Sequence, residues 1–230
     1  MSTTTEFKIK KVQKLSAEVQ AASALRQGIL DGEIPPATRL TEIRMAEQLG
    51  VSRATIRTAF HQLAQEGLID QIPYTGWAVM SLSAHDAWEL YTLRASLEAL
   101  ASKLVATGIR EKGTTSPAIA RLHEVFSDLE VACKSRKRKR IAEADFALHR
   151  TIIDLAGHRR LGEQYAMVEQ QIRIYIASSD ALLDPASIIE QHRPIVTAIS
   201  AGDVERAVQA AVEHNEQEGG KLVAHLEAQE

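Results

Sequence analysis

Apolar residues recur at helical spacing over most of this chain. After Ser16, a suitable N-cap, Val19, Ala22, Leu25, Ile29 and Leu30 form one stripe, which Gly32 and the Pro35-Pro36 pair end. A second helix opens after Thr41 with Ile43, Ala46 and Leu49 inward and stops at Gly50. A third, capped by Ser52, runs to about Glu66 with Ile56, Ala59, Phe60 and Leu63 on one face. Two short helices joined by a tight glycine-containing turn predict a helix-turn-helix. Leu68-Ile69 and Trp77-Ala78-Val79-Met80 then read as strands around a Pro73-Tyr74-Thr75-Gly76 turn, which makes a wing.

Beyond Ser81-Leu82-Ser83 the helical period returns and persists. Ser83 and Asp86 form a capping-box pattern for a long helix to about Thr107. Six helical segments begin near Ala84, Pro117, Ile141, Arg160, Pro185 and Asp203, separated by turn residues such as Gly108 to Gly113, Gly157, Asp184-Pro185 and Gly202-Asp203. The fold class predicted is mostly α: an N-terminal winged helix-turn-helix over residues 1–80, a linker at 81–83, and a C-terminal antiparallel all-α bundle of about six helices over 84–230.

Composition narrows the setting. The 230 residues are 45% hydrophobic and 25% charged, ordinary soluble globular material. The N-terminus lacks a secretory apolar stretch, no run is long enough to cross a bilayer, and the one cysteine, Cys133, forms no internal disulfide. A cytoplasmic protein without a membrane partner is expected. Residues 1–80 carry nine Lys and Arg against eight Asp and Glu, so a DNA-binding face has to be a local patch. Lys8, Lys10, Lys11 and Lys14 gather near the start, and Arg39, Arg44, Arg53 and Arg57 gather around the second and third helices. On the third helix Ala54, Arg57, Thr58 and His61 point away from the apolar face, with Arg53 at its boundary in the first turn, the region from which a recognition helix reaches base edges. The run from Lys134 to Arg140 reads as a solvated loop that frays the helix after it, or as an auxiliary phosphate contact.

The bundle carries polar groups where core hydrophobes are expected. Asp145 and His149, one turn apart, lie among Ile141, Ala144, Leu148 and Ile152; His192 sits among Ile188, Ile195, Val196 and Ile199; His214 lies near the edge of the stripe of Val204, Ala207, Ala211 and Leu222. Each histidine alone is compatible with a satisfied core residue, but together the four suit a divalent transition metal. Zinc, nickel, cobalt, manganese and iron all fit three nitrogens and an oxygen, with zinc or nickel favoured. Arg94 shares a face with Leu90, Leu93, Leu97, Ala101 and Leu104, so its guanidinium points inward and needs an anion: Glu98 one turn later, or a bound carboxylate.

The N-terminal third resembles the winged-helix domain of the GntR family. The matching blocks are Arg26-Gln27-Gly28-Ile29-Leu30-Asp31-Gly32-Glu33-Ile34-Pro35-Pro36, Leu40-Thr41-Glu42, Leu49-Gly50-Val51-Ser52-Arg53, Arg57 and Glu66-Gly67-Leu68-Ile69. Ala37 replaces a usual glycine, Thr55 stands where proline is common, and Ile43 replaces a usual arginine with Arg44 beside it. The resemblance implies operator contacts from Ser52, Arg53, Arg57 and the wing-tip Gly76, with Arg44 and Thr55 as neighbouring candidates. Residues from about Ala84 to Ala224 resemble the FCD ligand-binding domain of the FadR branch of that family, through Leu93-Arg94-Ala95-Ser96-Leu97-Glu98, Asp145-Phe146-Ala147-Leu148-His149, Gln191-His192-Arg193-Pro194-Ile195 and His214. That resemblance implies a divalent metal on Asp145, His149, His192 and His214, with a small organic acid beside it. A homodimeric transcriptional repressor on operator DNA, controlled by a carboxylate held by Arg94, is therefore expected. A metal-dependent hydrolase, or a regulator whose metal is purely structural, is the alternative.

Overall fold

The computed structural model describes residues 15–73, 76–113, 116–178 and 184–228. The first unit is α1 (Ala17–Leu30), β1 (Arg39–Leu40), α2 (Glu42–Leu49), α3 (Arg53–Gln65), β2 (Ile69–Ile72) and β3 (Gly76–Val79). Ser16, Thr41 and Ser52 cap the three helices through their side-chain oxygens, as their identities predict. Gly50 supplies the left-handed residue at φ 65° that lets α2 end and α3 begin. The sheet has the order β1-β3-β2 and is antiparallel throughout, with Ile69 opposite Val79 and Leu40 opposite Trp77. Strand β1 was not expected; two residues are too few for an alternating pattern. Tyr74 and Thr75 of the expected wing turn, and the Lys8, Lys10, Lys11 and Lys14 cluster, lie outside the described residues.

Three positions of this unit and the next face the other way from the sequence reading. Val19 is exposed, and α1 buries Ala21 and Ala22 instead. Ile43 is 54% exposed, because the short α2 rests on Met45 and Ala46. Leu93 is also exposed, so the inner face of the following long helix is narrower than expected.

That helix is α4 (Ala84–Lys112), followed by α5 (Pro117–Ser135), α6 (Arg138–Leu155), α7 (Arg159–Ser178), α8 (Pro185–Ala201) and α9 (Val204–Glu227). The capping box on α4 is formed: Asp86 Oδ2 accepts from the Ser83 backbone N–H at 2.8 Å, and Ser83 Oγ accepts from that of Asp86 at 3.1 Å. α4 runs five residues past the expected stop at Thr107, since Ile109 is buried and offsets the helix cost of Gly108. α6 starts inside the basic run rather than at Ile141, with Lys137 at a cap position that makes no side-chain hydrogen bond.

α4 lies along α9 and α8, with α5, α6 and α7 around them, and the core falls into two clusters. One fills the far half of the bundle, around Leu122, Leu129, Ile152 and Tyr165. The other is continuous from the winged helix, through Leu25, Phe60, Leu68 and Met80, into Tyr91, Phe146, Ile172 and Ile176. Apolar burial therefore does not stop at residues 81–83. Polar contacts cross the same seam: Lys139 Nζ is 2.9 Å from Asp31 Oδ2, and the Leu82 backbone N–H donates to the Tyr175 hydroxyl. Among the described residues, no helix is long and apolar enough to cross a membrane.

Candidate metal centre and DNA interface

Helices α6, α8 and α9 each bring one histidine to the bundle interior. His149, His192 and His214 are 1%, 2% and 3% exposed, and one ligand atom from each lies within 4.8 Å of the others. His192 Nδ1 is 2.7 Å from the Ile188 carbonyl oxygen, which can only accept, so Nδ1 carries a proton and Nε2 is the atom left to meet a cation or a second proton. His149 Nδ1 lies 3.1 Å from Glu98 Oε2, and the same reasoning gives its Nε2 the same role. The two Nε2 atoms face each other at 2.8 Å. Two such nitrogens at that separation require a proton or a cation between them.

Asp145 completes the surroundings. Its Oδ1 is 3.1 Å from His192 Nε2, although the tight cluster of ligand atoms is the three histidines. Burial opposes ionisation of Asp145, but His192, His149 and Arg94 outweigh it and hold the carboxyl well below the usual range. Burial lowers His192, while Asp145 and the Ile188 carbonyl more than reverse that, so its basicity is raised. His214 has no such compensation: burial, then the neighbouring His192 and His149, push it well below an ordinary histidine. Among the described residues, Nδ1 of the neutral His214 has no hydrogen-bond partner, which suits a cation ligand. The residues present therefore fit a divalent metal.

Arg94, from α4, is 2% exposed and meets the expected Glu98 one turn later, Nε to Oε1 at 2.7 Å. Among the described residues its Nη2 has no partner. Burial works against its charge, yet Glu98 outweighs burial and keeps the guanidinium firmly protonated. Both readings of Arg94 thus survive: one edge holds a carboxylate of the chain, and another donor is open.

The winged helix exposes Arg44, Ser52, Arg53 and Arg57, and Gly76 opens β3 at φ 112°. Thr55 is different. It is 9% exposed, and its hydroxyl lies 2.9 Å from that of Ser52, so it braces the cap of α3 rather than facing outward. Arg57 is gripped by Glu42 of α2, Nε to Oε1 at 2.7 Å and Nη2 to Oε2 at 2.9 Å, with Arg53 3.8 Å from the same carboxylate.

A family model described as the FCD domain matches residues 89–217, and one described as bacterial regulatory proteins of the gntR family matches residues 17–79. The chain belongs to the GntR family of transcription regulators and carries an FCD domain. This GntR regulator is 28% identical over 207 residues to a probable D-xylose utilization operon transcriptional repressor of Paenarthrobacter nicotinovorans, covering 89% of this chain and 88% of that one. It is 25% identical to the gluconate operon transcriptional repressor of Bacillus subtilis, over 86% and 81% of the two chains. A crystal structure of a GntR regulator from Rhodococcus sp. RHA1 superposes with a TM-score of 0.75 at 25% identity, covering 89% of this chain and 97% of that one. E. coli McbR/YncC shares the fold at a TM-score of 0.72 and 21% identity, over 94% and 99%. These families and relatives are regulators, not enzymes, which removes the hydrolase alternative.

Two residues of the GntR chain were missed as parts of these sites. Glu42 gave no signal, because its contact with Arg57 spans the helix-turn-helix. Glu98 was read as a partner for Arg94, whereas it also receives Tyr165 and Asn215 and lies beside His149.

Proposed function

We propose that this regulator is a homodimeric repressor whose operator affinity is set by a small carboxylate bound beside a divalent metal. In this reading residues 1–80 form the operator-reading unit, 81–83 the connection, and 84–230 the sensor. Arg44, Ser52, Arg53, Arg57 and the wing glycine Gly76 meet the operator, as bases or phosphates, and a two-fold dimer reads two half-sites. Thr55 acts there only through Ser52.

The observation that carries the sensor half is the pair of Nε2 atoms 2.8 Å apart, flanked by His214 Nδ1, which has no hydrogen-bond partner among the described residues. His149, His192, His214 and Asp145 would hold the ion, which supplies a positive charge for an anionic ligand. Arg94 Nη2 supplies a second anchor for the same carboxylate. Zinc and nickel suit this nitrogen-rich set best. Two relatives are named as repressors of the D-xylose utilization and gluconate operons, which supports repression of a catabolic operon and makes sugar acids the first effectors to try. Linkage requires the effector to prefer one arrangement of the protein, and the apolar seam shared by α7 and the winged helix gives it one to bias.

Gel-shift titration of the regulator on its own upstream DNA tests this, with and without chelator and a panel of sugar acids. A shift that an acid relieves only in the metal-loaded protein supports the reading. His192→Ala should lose metal and thermal stability together. An acid response that survives chelation would leave the metal a purely structural role.

A further inference from the structure

Glu98 is 3% exposed, and its two oxygens are divided between two sets of donors. Oε1 accepts from Arg94 Nε at 2.7 Å and from the Tyr165 hydroxyl at 2.8 Å. Oε2 accepts from Asn215 Nδ2 at 2.7 Å and lies 3.1 Å from His149 Nδ1. Arg94 Nε and Asn215 Nδ2 can only donate, one to each oxygen, so both oxygens of this carboxylate act as acceptors. A full carboxylate offers acceptors on both sides. No other residue type of that length does so.

We propose that Glu98 is the positioning residue of the metal centre: its Oε2 fixes His149 in the Nδ1–H tautomer and so presents the Nε2 lone pair to the cation. Four elements meet on this one group, since Arg94 shares α4 with it, His149 lies on α6, Tyr165 on α7 and Asn215 on α9. Asn215 directly follows the candidate ligand His214, so the same carboxylate also steadies the backbone that carries His214. The inference rests on the metal reading above only for its consequence; the tautomer itself exists with or without an ion.

The amide isostere makes a sharp test. In Glu98→Gln the side chain has one accepting oxygen and one donating NH2. The charged guanidinium of Arg94 claims the oxygen, because the opposite orientation would set an NH2 donor against a cation. The NH2 group then takes the place of Oε2 between Asn215 and His149: Asn215 turns its own amide over to accept through Oδ1, and His149 Nδ1 must give up its proton and accept. The proton moves to Nε2, and the ligand atom is blocked. In Arg94→Met/Glu98→Gln the claim on the oxygen is gone, the amide turns over, and the tautomer returns.

The experiment measures Zn2+ affinity by competition with a chromophoric chelator, and the His149 tautomer by nitrogen-15 NMR of the metal-free full-length chain. Glu98→Gln should bind Zn2+ about 10- to 100-fold more weakly, as outer partners of metal-bound histidines generally do when changed. The Nδ1–H signal of His149 should vanish in Glu98→Gln, and both signal and affinity should recover in the double variant. A merely structural role predicts the reverse order, with the double variant worse than the single. Unchanged affinity or an unchanged tautomer in Glu98→Gln would overturn the proposal. Failure of the wild-type chain to bind Zn2+ would sink the metal reading instead, while the NMR comparison still decides the role of Glu98. Should Glu98→Gln fail to fold, the tautomer and affinity of the double variant against wild type carry the test, and an Nε2–H His149 there would refute it.

Discussion

Arg57 on α3 is held at two points by Glu42 on α2, Nε to Oε1 at 2.7 Å and Nη2 to Oε2 at 2.9 Å. The pair spans the helix-turn-helix and fixes the direction of a side chain that is 57% exposed. Arg57 in turn pulls the Glu42 carboxyl below its ordinary range, chiefly through these hydrogen bonds. An exposed ion pair adds little stability. In the operator reading proposed above its value lies in presentation: a guanidinium already oriented would lose less rotamer freedom on meeting a base edge.

Glu42→Gln should therefore separate affinity from specificity. Removing one negative charge beside Arg53 and Arg57 raises non-specific DNA binding and steepens its salt dependence, by up to about one counterion equivalent. Specific binding gains less or falls, because Arg57 is no longer aimed. Competition gel shifts on operator and scrambled DNA at several salt concentrations check this. An unchanged operator-to-scrambled ratio would mean that Glu42 does not orient Arg57 for DNA.

Ala37 stands where the family usually has glycine, and the structure supplies the reason: its φ is 61°, in the left-handed region. Its N–H donates to the Val79 carbonyl oxygen at 3.0 Å, tying the turn before β1 to β3. An L-residue there costs roughly 1–2 kcal/mol, part of which a glycine gives back as unfolded-state entropy. Ala37 is exposed. Ala37→Gly should stabilise the protein by up to about 1 kcal/mol, or roughly 2–4 °C in Tm for a chain of this size. A lower melting temperature would show that the strain is absorbed elsewhere.

Much of this architecture was legible from spacing. Cap residues and turn glycines marked where most helices begin and end. The 3.6-residue period also put Asp145, His149 and His192 inward, because a polar residue inside an apolar stripe stands out. Periodicity gives the centre of a buried face but not its edges, which is why Val19, Ile43 and Leu93 turned out exposed. It says nothing of which distant group completes a buried one. Glu98 meets Tyr165 and Asn215 across 67 and 117 residues of chain, a pairing that only the packing of α4 against α7 and α9 creates.

Two adjacent glycines of α9 should respond in opposite ways. A Cβ on Gly219 would lie 2.7 Å from Tyr91 Cβ and 2.9 Å from its Cγ, whereas one on Gly220 meets nothing within 4 Å among the described residues. Alanine improves helix propensity at either site by about 1 kcal/mol. At Gly219 that gain is outweighed by overpacking, which costs typically 1–3 kcal/mol. Tyr91 cannot yield freely, since it is buried and its ring lies 5.5 Å from the Arg94 guanidinium. Gly220→Ala is expected to raise the urea midpoint and Gly219→Ala to lower it. Equal shifts would show that α4 and α9 can part without cost.

Tyr175 ties α7 to the linker by accepting the Leu82 backbone N–H, and burial pushes its hydroxyl up to about 12, against a small lowering from that N–H. The folded value exceeds the unfolded value near 10, so the unfolded chain ionises first as pH rises. Between pH 10 and 12 the native state then holds more protons than the unfolded state, and stability falls as pH increases. Below pH 10 the phenol is neutral in both states and contributes no slope. Tyr175→Phe lacks this proton, so its alkaline decline should be shallower than that of the wild type, although it starts lower at pH 8 for want of the linker hydrogen bond. Denaturation curves at pH 8, 10 and 11 provide the comparison; parallel declines would mean that Tyr175 ionises as freely in the folded protein as in the unfolded chain.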